Sequence, residues 1–314
     1  MDRDATAPPS GRQVALRHGP WTAVVVEVGG GLRELAYDGR PLLDGYGPGE
    51  MASGGRGQPL LPWPNRLAGG RYRIRGREVR VPVSEPATGS AIHGLTRWAN
   101  WRVAADEGPR CAMALRLHPQ PAYPFLLDLR LDYALGDAGL EVRLTAANAG
   151  AEAAPFGAGI HPYLTAGTPT VDDARLTLPA AEWLPADERG IPTGERRPVA
   201  GELDLRDGRP LGSVTLDNCF SALERDADGL ARVVLEGPAD RITLWMDALW
   251  GFVTVFTGDT LSPERRRRGL AVEPMTCPAD AFNSGDGLLT IPPGGSVEGR
   301  WGISRADPSR SGHI

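Results

Sequence analysis

Forty-one glycines and 29 prolines are spread along the 314 residues rather than gathered into linkers. Glycine has no Cβ and proline no backbone N–H, so at this density long helices are interrupted and turns are available everywhere. What survives between the breaks is short and extended. Residues 71–83, RYRIRGREVRVPV, set Tyr72 and Ile74 between arginines, turn about Gly76, and return with Val79, Val81 and Val83 on one face. This pattern predicts a hairpin with one buried face. Residues 127–135, LDLRLDYAL, alternate in the same way, turn through 136–139 and resume over 140–146. Residues 231–236, 241–246 and 252–257 are further strands of the kind, and no stretch of a dozen residues shows a helical period. The regular strand spacing predicts an all-β fold, a large antiparallel β-sandwich. No linker-like stretch divides the chain, so one domain is expected over 13–305, with disordered tips at 1–12 and 306–314.

The formal net charge of −5 argues against a nucleic-acid partner. The chain contains no lysine. Schiff-base enzymes and Walker-type nucleotide binders need one, so both classes are excluded. Cys111, Cys219 and Cys277 are odd in number and widely spaced, which suits a reducing compartment better than a disulfide framework, and no C-x-x-C pair suggests structural zinc. Residues 1–12 lack the apolar run of a secretory leader, and no apolar stretch approaches a membrane span. The expectation is a cytoplasmic protein, monomer or homodimer, without membrane contact.

Five histidines are present. His313 sits in a polar tail, His18 beside Gly and Pro, and His118 before Pro119, all settings of solvated surface residues. His93 ends an apolar approach, AIHG, and His161 lies in GAGIHPY between small residues and a rigid proline. Each reads either as a structural, hydrogen-bonded histidine or as an imidazole held for use. Glu273, in LAVEPMT, is flanked by apolar residues. A carboxyl buried there needs a partner, and its pKa would rise toward that of a useful base. In PWPNR, residues 62–66, prolines and an aromatic fix a loop presenting Asn65 and Arg66, a fork able to hold sugar hydroxyls or a carboxylate. The plainer reading of Arg66 is a surface cation at a strand end. Asp217, in LDNCF, is uninformative alone.

Taken together, GQPLLPWPNRL (57–67), AIHGL (91–95), GIHPYL (159–164), LDNCF (216–220) and AVEPMTCPADAFNSG (271–285) resemble the aldose 1-epimerase, or galactose mutarotase, family. The resemblance runs from about residue 20 to 303, and the overall pattern is most similar to a bacterial subgroup that includes sulfoquinovose mutarotases. It implies a β-sandwich of curved strands with an open sugar cleft, and interconversion of the α and β anomers of a free sugar without metal or cofactor. By motif match it implies Glu273 as the base at O1, His161 as the acid at the ring oxygen O5, and His93 as a hydrogen-bond donor near O5. Arg66 and Asp217 would hold hydroxyls, with Asn65 and Trp245 as candidates for the cleft wall. Many members carry a second glycine or an aromatic–Asn pair after the two histidines. Here Gly94–Leu95 and Pro162–Tyr163–Leu164 follow, so sugar specificity does not carry over. The arginines at 265–268 read as a solvated loop, or as a contact for an anionic sugar or partner.

Three other classes compete. A non-catalytic carbohydrate-binding sandwich would not need Glu273 and His161 together. A cupin-type metal enzyme would cluster its ligands as H-x-H pairs, which are absent. A glycoside hydrolase needs two carboxylates, and Asp217 could supply the second.

Overall fold

The computed structural model describes residues 7–306. Its largest sheet has nine strands in the spatial order Arg102–Asp106, Arg110–Leu117, Leu127–Gly136, Gly139–Asn148, Ser296–Ala306, Arg241–Met246, Ala231–Glu236, Arg175–Thr177 and Arg209–Pro210. All of its pairings are antiparallel. A second, eight-stranded sheet runs Arg197–Pro198, Ala180–Leu184, Asp217–Leu223, Phe252–Phe256, Leu270–Met275, Gly159–Ile160 and Pro59–Leu60, with Tyr163–Leu164 also pairing with Leu270–Met275. A four-stranded meander over residues 13–41 packs against the strands at 110–117 and 127–136.

Alternation decides which face each strand buries. In Leu127–Gly136 the residues Leu127, Leu129, Leu131, Tyr133 and Leu135 are buried, while Asp128 and Arg130 point outward. Opposite them, Leu140, Val142, Leu144 and Ala146 continue the same face, in register as Leu131↔Leu144 and Tyr133↔Val142. These residues share one core with Phe220, Val253, Val255 and Val272 of the second sheet, so the expected sandwich is what the chain builds. Truncating one such leucine to alanine costs about 2–5 kcal/mol. Leu270–Met275 differs in being buried at every position, covered on both faces. That strand carries Glu273.

Among the described residues the only α-helical segment is the single turn Ala281–Ser284. The hairpin at residues 71–83 forms, as strands Arg71–Ile74 and Arg77–Arg80 turning through Arg75 and Gly76, both at positive φ as a tight two-residue turn demands. Its expected common face is only partly buried. Tyr72 and Val81 are covered, but Val83 lies beyond the paired strand and is 46% exposed. Both expected tips also need correction. Residues 1–6 and 307–314 lie outside the described residues, as does His313. Within the expected tips, Ser10 is buried, the Arg12 N–H donates to Glu27 (2.9 Å), and Ala306 pairs with Arg241. No helix among the described residues is long and apolar enough to cross a membrane.

The arginine run is not a freely solvated loop. Arg265 donates to the Gly45 carbonyl (2.9 Å) and pairs with Asp44 and Glu50. Arg267, 12% exposed at its side chain, pairs with Asp172 and Asp259; Arg268 is more exposed but also pairs with Asp44 (3.3 Å), while Arg266 faces outward. Three of the four arginines tie this loop to its neighbours, and none of the four lines the cavity that contains Glu273.

Candidate active site

A cavity of about 320 Å³ opens beside the buried strand of the second sheet. Its walls bring together Glu273, His161, His93, Arg66, Asp217 and Asn65, six residues from five separate stretches of chain. Trp245 is not among them. It lies in Arg241–Met246, where Ile242, Leu244 and Met246 point into the core, and alternation sends Trp245 to the outer face of the nine-stranded sheet. There its indole covers Gly302, leaving no room for a Cβ at that glycine. The expected role in the cleft wall is therefore wrong.

Glu273 and His161 meet at the bottom of the cavity. His161 Nε2 stands 3.3 Å from Glu273 Oε1, with both side chains almost wholly buried. Glu273 Oε2 and His161 Nδ1 have no hydrogen-bond partner among the described residues. Burial pushes the Glu273 carboxyl well above its ordinary range. The negative charge of Asp217 adds to this, and Arg66 opposes it. Burial drives the His161 imidazole down to about 3, helped by the cations Arg97 and Arg56. Both shifts disfavour charge, as desolvation must. The 3.3 Å separation sets the carboxyl and the ring nitrogen side by side, each in surroundings that favour its neutral form.

The His161 ring is clamped on several sides. It stacks on Tyr163 (centroids 4.9 Å apart, planes 17° apart), whose other face is covered by the Arg56 guanidinium at 4.4 Å from its centroid. Tyr163 donates its hydroxyl proton to the Gly54 carbonyl (2.8 Å), and Arg56 is fixed by a buried pair with Asp44 at 3.0 Å. Gly55, at φ +77°, presses its backbone against the imidazole, and a Cβ there would fall 2.6 Å from His161 Cδ2. His93 meets His161 edge to face at 5.3 Å.

His93 and Asn65 hold each other. The Asn65 N–H donates to His93 Nδ1 (3.2 Å), and the His93 N–H donates to the Asn65 carbonyl (2.9 Å). Nδ1 is thus an acceptor, so a neutral His93 carries its proton on Nε2. Burial keeps it neutral, holding the ring well below 6.5, with the charges of His161, Arg97 and Arg66 acting in the same direction. The Asn65 side chain accepts the Arg66 N–H (2.8 Å), so it shapes the loop as well as lining the cavity.

Arg66 grips Glu85 with two parallel bonds, Nε to Oε2 at 2.6 Å and Nη2 to Oε1 at 3.0 Å. A bidentate pair fixes the plane of the guanidinium, and the group lines the cavity in that fixed orientation. Asp217 is open to the cleft but crowded by protein. That crowding raises its pKa, with Arg66 pulling the other way. Glu85, Arg97 and Tyr163 are site residues that the sequence reading did not single out. Tyr163 lies within GIHPYL and shares the segment of His161, whereas nothing local marks Glu85 or Arg97. Among the described residues no group of three or more His, Cys, Asp or Glu is placed to hold a metal ion.

Residues 12–304 match the family model described as aldose 1-epimerase. An uncharacterized protein of Escherichia coli K12, YihR, is 37% identical over 288 residues, covering 91% of this chain and 90% of that one. Human galactose mutarotase is 31% identical over 159 residues, 47% of this chain and 44% of its own length. Among solved structures, a GalM/aldose epimerase homologue from Caenorhabditis elegans superposes with a TM-score of 0.84 at 16% identity, covering 94% of this chain and 99% of the other. Galactose 1-epimerase from Lactobacillus acidophilus gives 0.79 at 19% identity, covering 94% of each. At such identities the superpositions speak for the fold alone. The family match along almost the whole chain and the extended similarity to YihR agree with it, and the chain belongs to the aldose 1-epimerase family of sugar isomerases, the mutarotases.

Proposed function

We propose that the cavity interconverts the α and β anomers of a free aldose, with Glu273 and His161 sharing the two proton transfers. The observation that carries this reading is the 3.3 Å contact between two buried groups whose pKa values are driven in opposite directions. The anomeric hydroxyl and the ring oxygen are both bonded to C1, so an acid and a base serving them must be neighbours. In the reactive state the proton has passed from Glu273 to His161. The Glu273 carboxylate takes the proton of O1, the C1–O5 bond breaks, and His161 protonates O5. This leaves an aldehyde, a neutral imidazole and a protonated carboxyl. Rotation about C1–C2 presents the other carbonyl face. O5 then adds to C1, returning its proton to His161 while O1 takes one from Glu273. No proton enters or leaves the site over the cycle. His93 Nε2–H is the donor available to the charge that develops on O5. Arg66 and Asp217 hold ring hydroxyls.

A specific observation favours an anionic sugar, such as one with a sulfonate at C6, within this reading. Arg97 lines the cavity and, among the described residues, has no carboxylate within ion-pairing distance. Its guanidinium donates only to the Ile92 carbonyl, at 3.4 Å, and leans on Trp98 at 5.5 Å. Burial pulls its pKa down, with Glu85 opposing. Arg97 acts electrostatically on both His93 and His161, which supports a C6 anion on the side of the sugar that those histidines would serve.

The test is a panel of freshly dissolved pure anomers followed by NMR: glucose, galactose, glucose 6-phosphate and sulfoquinovose. Acceleration above the buffer-catalysed rate supports the activity, and a preference for the C6 anions that Arg97→Gln removes supports the anionic substrate. Background rates throughout the panel would overturn both.

A further inference from the structure

The two histidines of the cavity are oriented in different ways. His93 Nδ1 accepts the Asn65 N–H at 3.2 Å, which settles its tautomer and its plane. His161 Nδ1 has no hydrogen-bond partner among the described residues, so no bond to that nitrogen turns the ring toward Glu273. Its orientation comes from what is packed on it, and most of that packing is supplied or braced by one segment, residues 53–58.

That segment holds His161 at several levels. Its main chain brackets the histidine, the Gly57 N–H donating to the His161 carbonyl (2.8 Å) and the His161 N–H to the Gln58 carbonyl (3.2 Å). Gly55 lies against the imidazole itself. Arg56 acts through Tyr163: its guanidinium covers the Tyr163 ring at 4.4 Å, and Tyr163 stacks on the imidazole at 4.9 Å. The guanidinium is immobilised in turn. Nε donates to the Asp44 carbonyl (3.1 Å), Nη2 to Asp44 Oδ2 (3.0 Å) and Nη1 to the Ser53 carbonyl (3.0 Å), so each of its nitrogens has a partner. The Arg56 and Asp44 side chains are both almost wholly buried, and neither lines the cavity that contains Glu273.

Resting on the mutarotase reading above, we propose that Arg56, anchored by Asp44, is a positioning residue that holds the His161 imidazole toward Glu273 and the ring oxygen by stacking through Tyr163. A buried ion pair contributes little net stability, because desolvation offsets most of its attraction. What this pair does is keep a planar cation flat on an aromatic ring, which a flexible apolar chain would not do. The same cation, together with Arg97, disfavours the imidazolium form and so makes a protonated His161 a readier donor to O5.

The test is a double-mutant cycle on anomer exchange, using whichever of glucose, galactose, glucose 6-phosphate and sulfoquinovose the wild type exchanges fastest. Arg56→Met leaves an unbranched side chain without charge or plane, and Asp44 retains Arg265 (3.4 Å) and Arg268 (3.3 Å) as partners. It should lower kcat about tenfold, within the roughly 10²-fold that an ångström of misplacement can cost, and leave KM within about twofold. In a His161→Gln background the same substitution should change kcat by less than about twofold, because the group it positions is gone. Arg56→Lys restores the cation but not the planar fork and should recover part of the loss. A loss carried by KM, or one of equal size in both backgrounds, marks a merely structural role and refutes the proposal while leaving the mutarotase reading intact.

The NMR shifts of the His161 ring nitrogens at neutral pH give a measure that needs no sugar. The wild type should show a single neutral tautomer, and Arg56→Met should move both nitrogens toward the average of the two tautomers. Unchanged shifts in the folded variant overturn the proposal. If Arg56→Met does not fold, Arg56→Lys goes through the same cycle and spectra, where a loss confined to the His161 background supports the proposal and wild-type behaviour refutes it. If the wild type exchanges no sugar, the catalytic reading fails, and the ring shifts alone decide whether Arg56 seats His161.

Discussion

Replacing His161 by Gln should remove an acid and make the protein's stability less sensitive to falling pH. The kinetic half follows from the loss of proton transfer at O5, at least about 10²-fold in kcat, the scale of general acid–base catalysis. The stability half follows from burial. The folded imidazole sits at about 3, against an ordinary 6.5. Its folded pKa is depressed, so below pH 6.5 the unfolded chain binds a proton that the folded chain refuses. The stability tied to this residue is present above about pH 6.5 and is lost as pH falls toward the folded value, at about 1.4 kcal/mol per pH unit. Between about pH 6.5 and 4.5 the wild type should lose on the order of 3 kcal/mol that His161→Gln does not. His93 and the surface carboxylates are common to both proteins and largely cancel in the difference. With a urea slope near 3 kcal/mol per molar, the two midpoints should diverge by roughly 1 M over this interval. The assay is urea unfolding followed by tryptophan fluorescence at several pH values. Parallel pH dependence of the two proteins would refute the claim that burial holds His161 neutral.

Other expectations follow from the same geometry. Glu273 has its pKa raised by burial, so its stability contribution is present below the carboxyl's unfolded pKa and lost as pH rises through the folded one; Glu273→Gln should gain on the wild type as pH rises, read from urea midpoints. Arg66→Lys cannot keep both bonds to Glu85 and should raise KM more than it lowers kcat, as steady-state kinetics on the preferred sugar will show. Trp245→Phe, on the outer sheet face, should leave KM and kcat within about twofold of the wild type. Activity should persist in full after exhaustive chelation; loss restored by one specific metal would contradict the metal-free scheme.

The strands were legible because burial on one face writes itself as alternation. Residues 231–236 and 241–246 match the observed strands residue for residue. Trp245 was misplaced although the same rule held the answer, since buried Ile242, Leu244 and Met246 leave the residue between them on the outside. Glu273 stood out because a carboxylate in an otherwise apolar strand is expensive without a partner. Glu85 and Arg97 did not stand out. Their roles come from long-range meetings, with the Arg66 fork and with the two histidines, and a surface-type residue in a loop carries no local sign of such a meeting. The arginines at 265–268 looked like solvent-facing charge for the same reason. Their partners Asp44, Asp172 and Asp259 are distant in sequence or ordinary in context.

The most direct test of the account is anomer exchange at equilibrium, measured by NMR magnetisation transfer between the α and β forms of the best substrate. Wild type, Glu273→Gln, His161→Gln and the double variant are compared with buffer alone. The account predicts that each single variant falls at least about 10²-fold and that the double variant is scarcely slower than the poorer single one, because either proton transfer alone is useless. Sugar binding, read by saturation transfer, should persist in all three. Near-wild-type exchange in Glu273→Gln, or two losses that simply multiply, would contradict the shared-proton pair.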